Sequence, residues 1–340
     1  MKVLFICKRR LDVDKQKTYG LETSASLIVR FLQKKGVDVE IGRAFDANDI
    51  DRLVTQFDPA IVILEALWVT PDKMREILSI KRHHARKWII RVHSRIAFLA
   101  NEGIAFPWFL GYREKVYPVA DNLWIAPNSK DATLDLQQTC NLKTVYLPNI
   151  YCPPEYKLLP KQPQPGFLNV GVFGAIRPMK NQLLQAVAAV RYAEQSQMRA
   201  RVHINATRTE QRGEQCLKNM EAFFAAQNGK HELIKHDWKT HEEFVGLCTQ
   251  MDISLQVSFS ETFNIIAADC IHHGVPCIGS SSIDWLPGFW QVRNPNDSEE
   301  VVYRMTQARG AFAKSRLWYA KRSLKKWNRM AENRWLTLTQ

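Results

Sequence analysis

The chain has 340 residues, 46% of them apolar, which is long for a single core and fits two globular domains of ordinary size. No apolar run approaches the roughly 20 residues that a membrane-spanning helix needs, and the opening Met1 to Lys8 is strand-like, without a signal-peptide cleavage site. Forty-seven basic residues against 34 acidic ones give a net charge of +13, a bias towards polyanionic partners such as nucleic acid or an anionic membrane face. The seven cysteines are scattered and none forms a C-x-x-C, so neither a disulfide framework nor a zinc site is indicated and a reduced, cytoplasmic protein is expected.

In chain order, residues 2–7 read as a strand, then a polar, lysine-rich loop runs to Gly20. A helix over 21–35 stops at Gly36 and a second strand covers 37–41. This strand–loop–helix–strand opening begins a doubly wound sheet. A helix at 49–57, a strand at 59–65, a helix at 71–84 and a strand at 88–94 follow, the last ending in His93. Residues 123–129 and 145–149 read as the closing strands of a first domain over 1–155. The proline-rich stretch 156–166 has neither helical nor strand periodicity and reads as the linker.

The pattern then restarts in a second domain over 167–312. Strands are expected at 167–173, 200–206, 232–235, 253–257 and 275–278, alternating with helices at 182–194, 214–227, 241–251, 263–273 and 298–309. Gly171-Val-Phe-Gly174 lacks the count and spacing of a dinucleotide-binding fingerprint, and no P-loop, G-x-S-x-G or H-E-x-x-H occurs. A helix at the C-terminal end, 313–340, repeats apolar residues at spacings of three and four: Leu317, Ala320, Leu324, Trp327, Ala331 and Trp335. Its remaining faces are basic, and the last thirty residues hold eight lysines and arginines against Glu332 alone.

Two motifs carry chemistry. Glu261 and Asp269 stand eight residues apart, one just past a strand end and the other along the following helix. Carboxylates there can accept hydrogen bonds from hydroxyls, and the helix start can hold an anion. Gly174 to Lys180 places Arg177 and Lys180 at another helix start, where cations are disfavoured unless an anion binds them.

Ser258, Glu261, Phe263, Gly274 and Pro276 match the acid-x7-acid signature of the retaining GT-B glycosyltransferases of group 1, and this stretch resembles that family. Asp269 stands where the family usually has Glu, and Asn264 where it has Gly. Gly174 and Lys180 keep the spacing of its G-R-L-x-x-x-K phosphate element, with Ala175 in place of the arginine. The resemblance covers the second half well and the first half only in its strand–helix rhythm.

It implies an α/β fold with two Rossmann-like domains facing across a cleft and a C-terminal helix crossing back. It also implies sugar transfer from a nucleotide-diphosphate sugar, with retention and no metal or other cofactor. By that resemblance Lys180 and Arg177 hold the diphosphate, Asp269 the ribose and Glu261 the sugar hydroxyls. Backbone groups of Phe263 and Asn264 and the loop glycine Gly20 assist. His93 donates a hydrogen bond to the sugar or the leaving phosphate, and Glu65 faces the same cleft. Two Asp-x-Asp triplets, Asp12 to Asp14 and Asp49 to Asp51, have the form that holds a metal in the other main glycosyltransferase fold, but the triplet at Asp49 reads as a helix N-terminus.

For the acceptor, the basic residues Arg9, Arg10, Lys81, Arg82, Lys325 and Lys326 favour a polyanion, slightly more a hydroxymethylated DNA base than a lipid-linked or surface glycan at an anionic membrane. A third reading is a non-catalytic nucleic-acid-binding protein on the same scaffold. No stable protein partner is inferred.

Overall fold

The computed structural model describes residues 1–9, 20–162 and 164–339, which divide into two units, 1–154 with 328–340 and 155–327. The first unit contains β1 (Lys2–Lys8), α1 (Gly20–Lys34), β2 (Asp38–Ala44), α2 (Asp49–Phe57), β3 (Ile61–Glu65), α3 (Pro71–Leu78) and β4 (Lys87–Val92). It continues through α4 (Ile96–Leu99), α5 (Ala105–Gly111), β5 (Leu123–Pro127) and α6 (Lys130–Cys140). Its five strands pair in parallel in the order β2-β1-β3-β4-β5. Near-continuous apolar runs such as Ile61 to Leu64, buried on both faces, are what a parallel sheet covered by helices requires.

The second unit contains β6 (Phe167–Gly171), α7 (Gln182–Gln195), β7 (Arg199–Asn205), α8 (Gly213–Ala225), β8 (Glu232–His236), α9 (His241–Thr249) and β9 (Ile253–Gln256). Next come α10 (Ile265–His272), β10 (Cys277–Ser280), β11 (Gln291–Val292), α11 (Ser298–Arg309) and the first part of α12 (Ala313–Thr339). The sheet order is β11-β10-β9-β6-β7-β8, again parallel. From β6 the chain winds one way through β7 and β8, then returns to β9 on the other side. The loops after β6 and β9 therefore part from each other at the carboxyl edge of the sheet, the place where open α/β sheets bind ligands.

Several sequence expectations change. Residues 145–149 form no strand: Val145 and Leu147 donate to β5, but only a single bridge, Ile125 to Thr144, is made. Pro148 has no N–H with which to extend a ladder. The helix expected over 71–84 ends at Leu78, and Lys81–His83 is a separate 3-10 turn. The unread stretch between β4 and β5 holds α4, α5 and a π-helical turn at Tyr112–Val116. Pro107 there falls in the first turn of α5, where an N–H has no helical partner to lose.

α12 buries the expected apolar stripe at Ala320, Leu324, Ala331 and Trp335. Residues 313–327 belong to the second unit and those from Asn328 onward to the first. In the first unit the Trp335 indole donates to Pro148 O at 2.7 Å, and its ring lies 5.7 Å from that of Phe5. Asn328 donates to Tyr151 O at 2.8 Å and accepts from Tyr151 N at 3.0 Å.

Candidate active site

At the switch point of the second sheet, the loop after β6 opens with Gly174 at φ +113°, a backbone conformation that disfavours a side chain. Its N–H donates to Asn205 Oδ1 at 3.0 Å. The loop closes in a 3-10 turn, Pro178–Lys180, and Lys180 Nζ donates to Glu261 Oε1 from the loop after β9. Both side chains are largely buried, 13% and 11% exposed. Ser258 Oγ donates to the same carboxylate oxygen at 3.1 Å.

Burial alone would raise the Glu261 pKa. The Lys180 ammonium, the Arg177 guanidinium and the Ser258 hydroxyl reverse this and hold it below the ordinary carboxylate value.

The two loops are pinned to each other. Phe259 N donates to Met179 O at 2.9 Å. Gln185 donates to Lys180 O at 2.7 Å and accepts from Val257 N at 3.0 Å. Nothing in the sequence marked Gln185, since a buried amide on an apolar helix resembles any other polar residue until its partners are known.

Arg177 lies 3.2 Å from Glu210 Oε2, and Arg208 pairs with the other oxygen of that carboxylate. Two guanidiniums on one carboxylate leave a positive charge over. The Arg208 guanidinium also sits 4.7 Å from the ring centroid of Trp238.

The helix expected to start at 263 starts at Ile265. Asn264 is its N-cap: Oδ1 accepts from Ala267 N at 2.8 Å, and Nδ2 donates to Gln256 Oε1 at 3.0 Å. Asn264 adopts φ 55°, in the left-handed region that glycine and asparagine tolerate best. That explains why asparagine can stand where the resembling family has glycine. Phe263 is 1% exposed, packs against Trp285 and Trp327, and its carbonyl accepts from the Trp285 indole at 2.6 Å.

Asp269 is 1% exposed, and its carboxylate takes His241 Nε2 at 3.1 and 3.2 Å. Burial lowers the His241 pKa, but the Asp269 carboxylate overrides it and holds the imidazole above its ordinary value. His241 opens α9 behind a capping box made by Thr240 and Glu243, a motif legible in the sequence, although its link to Asp269 was not.

In the first unit, His93 follows β4 and its Nε2 lies 2.8 Å from Glu65 Oε1. Burial lowers the His93 pKa despite this carboxylate. The ring is thereby biased towards its neutral form beside the Glu65 carboxylate. Glu65 turns inwards. It is fully buried, with Arg91 Nη1 at 2.8 Å, and Arg91 also donates to Asn149 Oδ1 at 2.7 Å. Arg91, a lone charge in the apolar run Trp88 to Val92, is the sequence signal for this network.

Gly20 is the first residue of α1, with negative φ and open space around its Cβ position, so no close approach requires a glycine there among the described residues. Arg9 is exposed, 4.7 Å from the ring centroid of Phe45, while Arg10 and the triplet at Asp12 and Asp14 lie outside the described residues. Lys81, Lys325 and Lys326 are exposed. Arg82 is committed to Asp51, its Nε donating at 3.1 Å, and His83 lies 2.8 Å from that carboxylate. Asp49 accepts from Phe45 N at 2.8 Å and from Arg52 at 3.0 Å, so the triplet at Asp49 is engaged within the fold. Among the described residues no group of three or more His, Cys, Asp or Glu side chains is placed to hold a metal ion.

Two parallel, doubly wound sheets with a final helix shared between the units define the GT-B fold, and the solved structures similar to this chain have it. No family model matches the sequence, and no curated protein sequence matches it either. A UDP-forming α,α-trehalose-phosphate synthase from Burkholderia xenovorans superposes with a TM-score of 0.68 at 11% identity, covering 100% of this chain and 99% of that one. Sucrose-phosphate synthase from Thermosynechococcus elongatus gives 0.68 at 12%, covering 97% and 96%. A point mutant of Staphylococcus aureus TarM, solved with fondaparinux, α-GlcNAc-glycerol and UDP, gives 0.59 at 10%, covering 82% of this chain. The chain spans only 55% of the length of that TarM and 60% and 59% of two GtfA structures.

Proposed function

We propose that this protein is a glycosyltransferase that moves a sugar from a nucleoside-diphosphate sugar to an acceptor hydroxyl, with retention and without a metal, in a reducing, cytoplasmic compartment. The observation that carries the reading is the meeting of Lys180 and Glu261 from the loops after β6 and β9, at the switch point of the second sheet. The structurally similar trehalose-phosphate synthase is named as UDP-forming and the TarM structure holds UDP, which supports a nucleotide donor.

In the reaction the anomeric C–O bond to the diphosphate breaks and a bond to the acceptor oxygen forms, with the hydroxyl proton leaving on the departing phosphate. Lys180 and Arg177 supply fixed positive charge for the growing charge of that leaving group. Glu261, kept ionised, accepts from the sugar hydroxyls, and backbone groups of Phe263 and Asn264 border the same loop. His93 is the candidate to donate a hydrogen bond to the sugar or the leaving phosphate. Gly20 remains a candidate for the loop beside the phosphates. Retention rests on the resemblance of the two motifs.

For the acceptor, the exposed cations Arg9, Lys81, Lys325 and Lys326 support a polyanion, with a hydroxymethylated DNA base as the favoured case. Arg82 supports it less, because Asp51 already holds it.

The test is turnover of a panel of nucleotide sugars, with and without chelator, against duplex DNA carrying hydroxymethylated pyrimidines and against lipid-linked sugar extracts. Chelator-resistant transfer to DNA is the expected result. Transfer only to the extract moves the acceptor to the membrane. DNA binding with no turnover on any donor supports the non-catalytic reading instead.

A further inference from the structure

The outward face of the first part of α12 carries two features that packing does not explain. Residues 311–327 hold six lysines and arginines and no acid. Elsewhere exposed cations such as Arg43, Arg52 and Lys115 are answered by carboxylates, but this stretch supplies none of its own. On the same face the fold leaves large rings in water: Phe312 is 67% exposed, Trp318 61% and Tyr319 53%. Such rings bury large apolar areas in cores and interfaces, so three of them exposed in one stretch call for a partner.

Helix geometry sorts these side chains. Ala320 and Leu324 turn inwards and are buried. On the other side Trp318, Arg322 and Lys325 follow at spacings of four and three, all within the second unit. Phe312, Tyr319 and Lys326 recur every seventh residue beside them, Phe312 O accepting from Arg316 N at 3.0 Å. Rings and cations are in contact. The Arg322 guanidinium lies 5.5 Å from the Trp318 ring centroid, and that of Arg316 lies 5.8 Å from Phe312. Tyr319 is steadied by Phe289, whose ring centroid is 5.7 Å away.

This interleaving selects the partner. A helix that lies in a lipid interface sinks a continuous apolar face, but here the aliphatic Ala320 and Leu324 face the protein, and Phe312 and Trp318 each carry a guanidinium. A duplex offers phosphates to the cations and keeps its bases stacked away from the rings. A single strand offers both, phosphates for the cations and a free π-face on every base.

We infer that this face of α12 binds single-stranded nucleic acid, with Arg322, Lys325 and Lys326 on its phosphates and a base stacked on Trp318. Such a surface goes beyond the acceptor reading, which rests on charge alone, and it holds an unpaired strand whether or not that strand is the acceptor.

The test is fluorescence anisotropy of labelled oligothymidine and of its duplex with oligoadenine of equal length, over a range of salt. Co-sedimentation with phosphatidylglycerol vesicles is measured alongside. The whole chain is compared with its Trp318→Ala and Lys325→Gln variants. The single strand is expected to bind about tenfold tighter than the duplex, and Trp318→Ala to weaken single-strand binding about tenfold without changing its salt dependence. Lys325→Gln is expected to lower the slope of log affinity against log salt by about 0.7, the worth of one phosphate contact. Both side chains are exposed, so urea midpoints are expected to stay at the wild-type value.

Single strand and duplex bound alike, or a Trp318→Ala chain that binds the single strand like the wild type, overturns the inference and leaves the acceptor to be decided by turnover. Vesicle binding that Trp318→Ala abolishes, with no affinity for the single strand, assigns the face to a membrane and overturns it too. The expected binding in a chain that transfers no sugar to DNA upholds the surface and removes the acceptor reading alone.

Discussion

Each unit buries a carboxylate beside a cation near the ends of its strands, and the two pairs differ in how they are closed. In the first unit Glu65 and Arg91 are fully buried, and Arg91 is further held by Asn149 and lies 5.2 Å from the ring centroid of Trp335. In the second, Lys180 and Glu261 keep 13% and 11% of their side chains exposed, on loops that diverge from the sheet. A closed ion pair with its own hydrogen bonds orders the elements around it and offers nothing to a ligand. An ajar pair at a switch point can exchange its partner for one. The difference teaches that burial of charge alone does not mark a site; the direction in which the pair opens does.

The largest effect expected is on the closed pair. Arg91→Met leaves Glu65 buried without its cation and is expected to cost about 3–5 kcal/mol in urea unfolding. A loss below about 1 kcal/mol, the scale of an exposed pair, would remove the contrast. On the open pair, Glu261→Gln keeps the shape and removes the charge. Turnover should fall by about 10²–10³-fold, as for a lost stabilising group in other active sites, with a smaller change in stability than Arg91→Met. Full activity in Glu261→Gln would falsify its role.

The pH dependence sharpens the same comparison. Burial raises the Glu65 pKa, but Arg91 and His93 bring it below the ordinary value, and burial lowers that of His93. A depressed carboxylate contributes stability above its unfolded pKa and loses it as pH falls towards its folded pKa. A depressed histidine acts in the same sense, because below about pH 6.5 the unfolded chain takes up a proton that the folded one refuses. Urea midpoints should therefore fall as pH drops from about 7 to about 4, and Arg91→Met should alter that slope whereas Lys180→Met acts mainly on nucleotide binding. A flat midpoint over that range would contradict the closed pair.

Smaller effects test the backbone beside Glu261. Asn264→Ala loses the cap and strains a left-handed residue, costing about 1–2 kcal/mol, whereas Asn264→Gly loses only a few tenths. Thermal melts of the two variants decide it, and equal costs would refute the conformational argument. Gly20→Ala is expected to stay within about 0.5 kcal/mol in the same melts.

Much of the architecture was legible because strand and helix periods alternate so regularly from Lys2 to Arg309. The two sheets and the buried stripe of α12 follow from local pattern. Glu261, Asp269 and Lys180 stood out by spacing and by their places at strand and helix ends. The helices between β4 and β5 escaped because Gly103 and Pro107 resemble breakers in a linear reading. Residues 145–149 passed for a strand because extended chain beside a sheet and a paired strand share one composition.

The sequence by itself determined which segments are strands and helices, and that two acids and a lysine fall at their ends, since those depend on neighbours within a turn or two. Only the tertiary structure decided what the charges meet. Lys180 and Glu261 are 81 positions apart, Arg91 and Asn149 are 58, and His241 and Asp269 are 28. Such pairs form when strand order brings remote loops to one edge, and no local periodicity encodes that order. It is the winding of the chain out from β6 and back to β9 that turns isolated charges into a site.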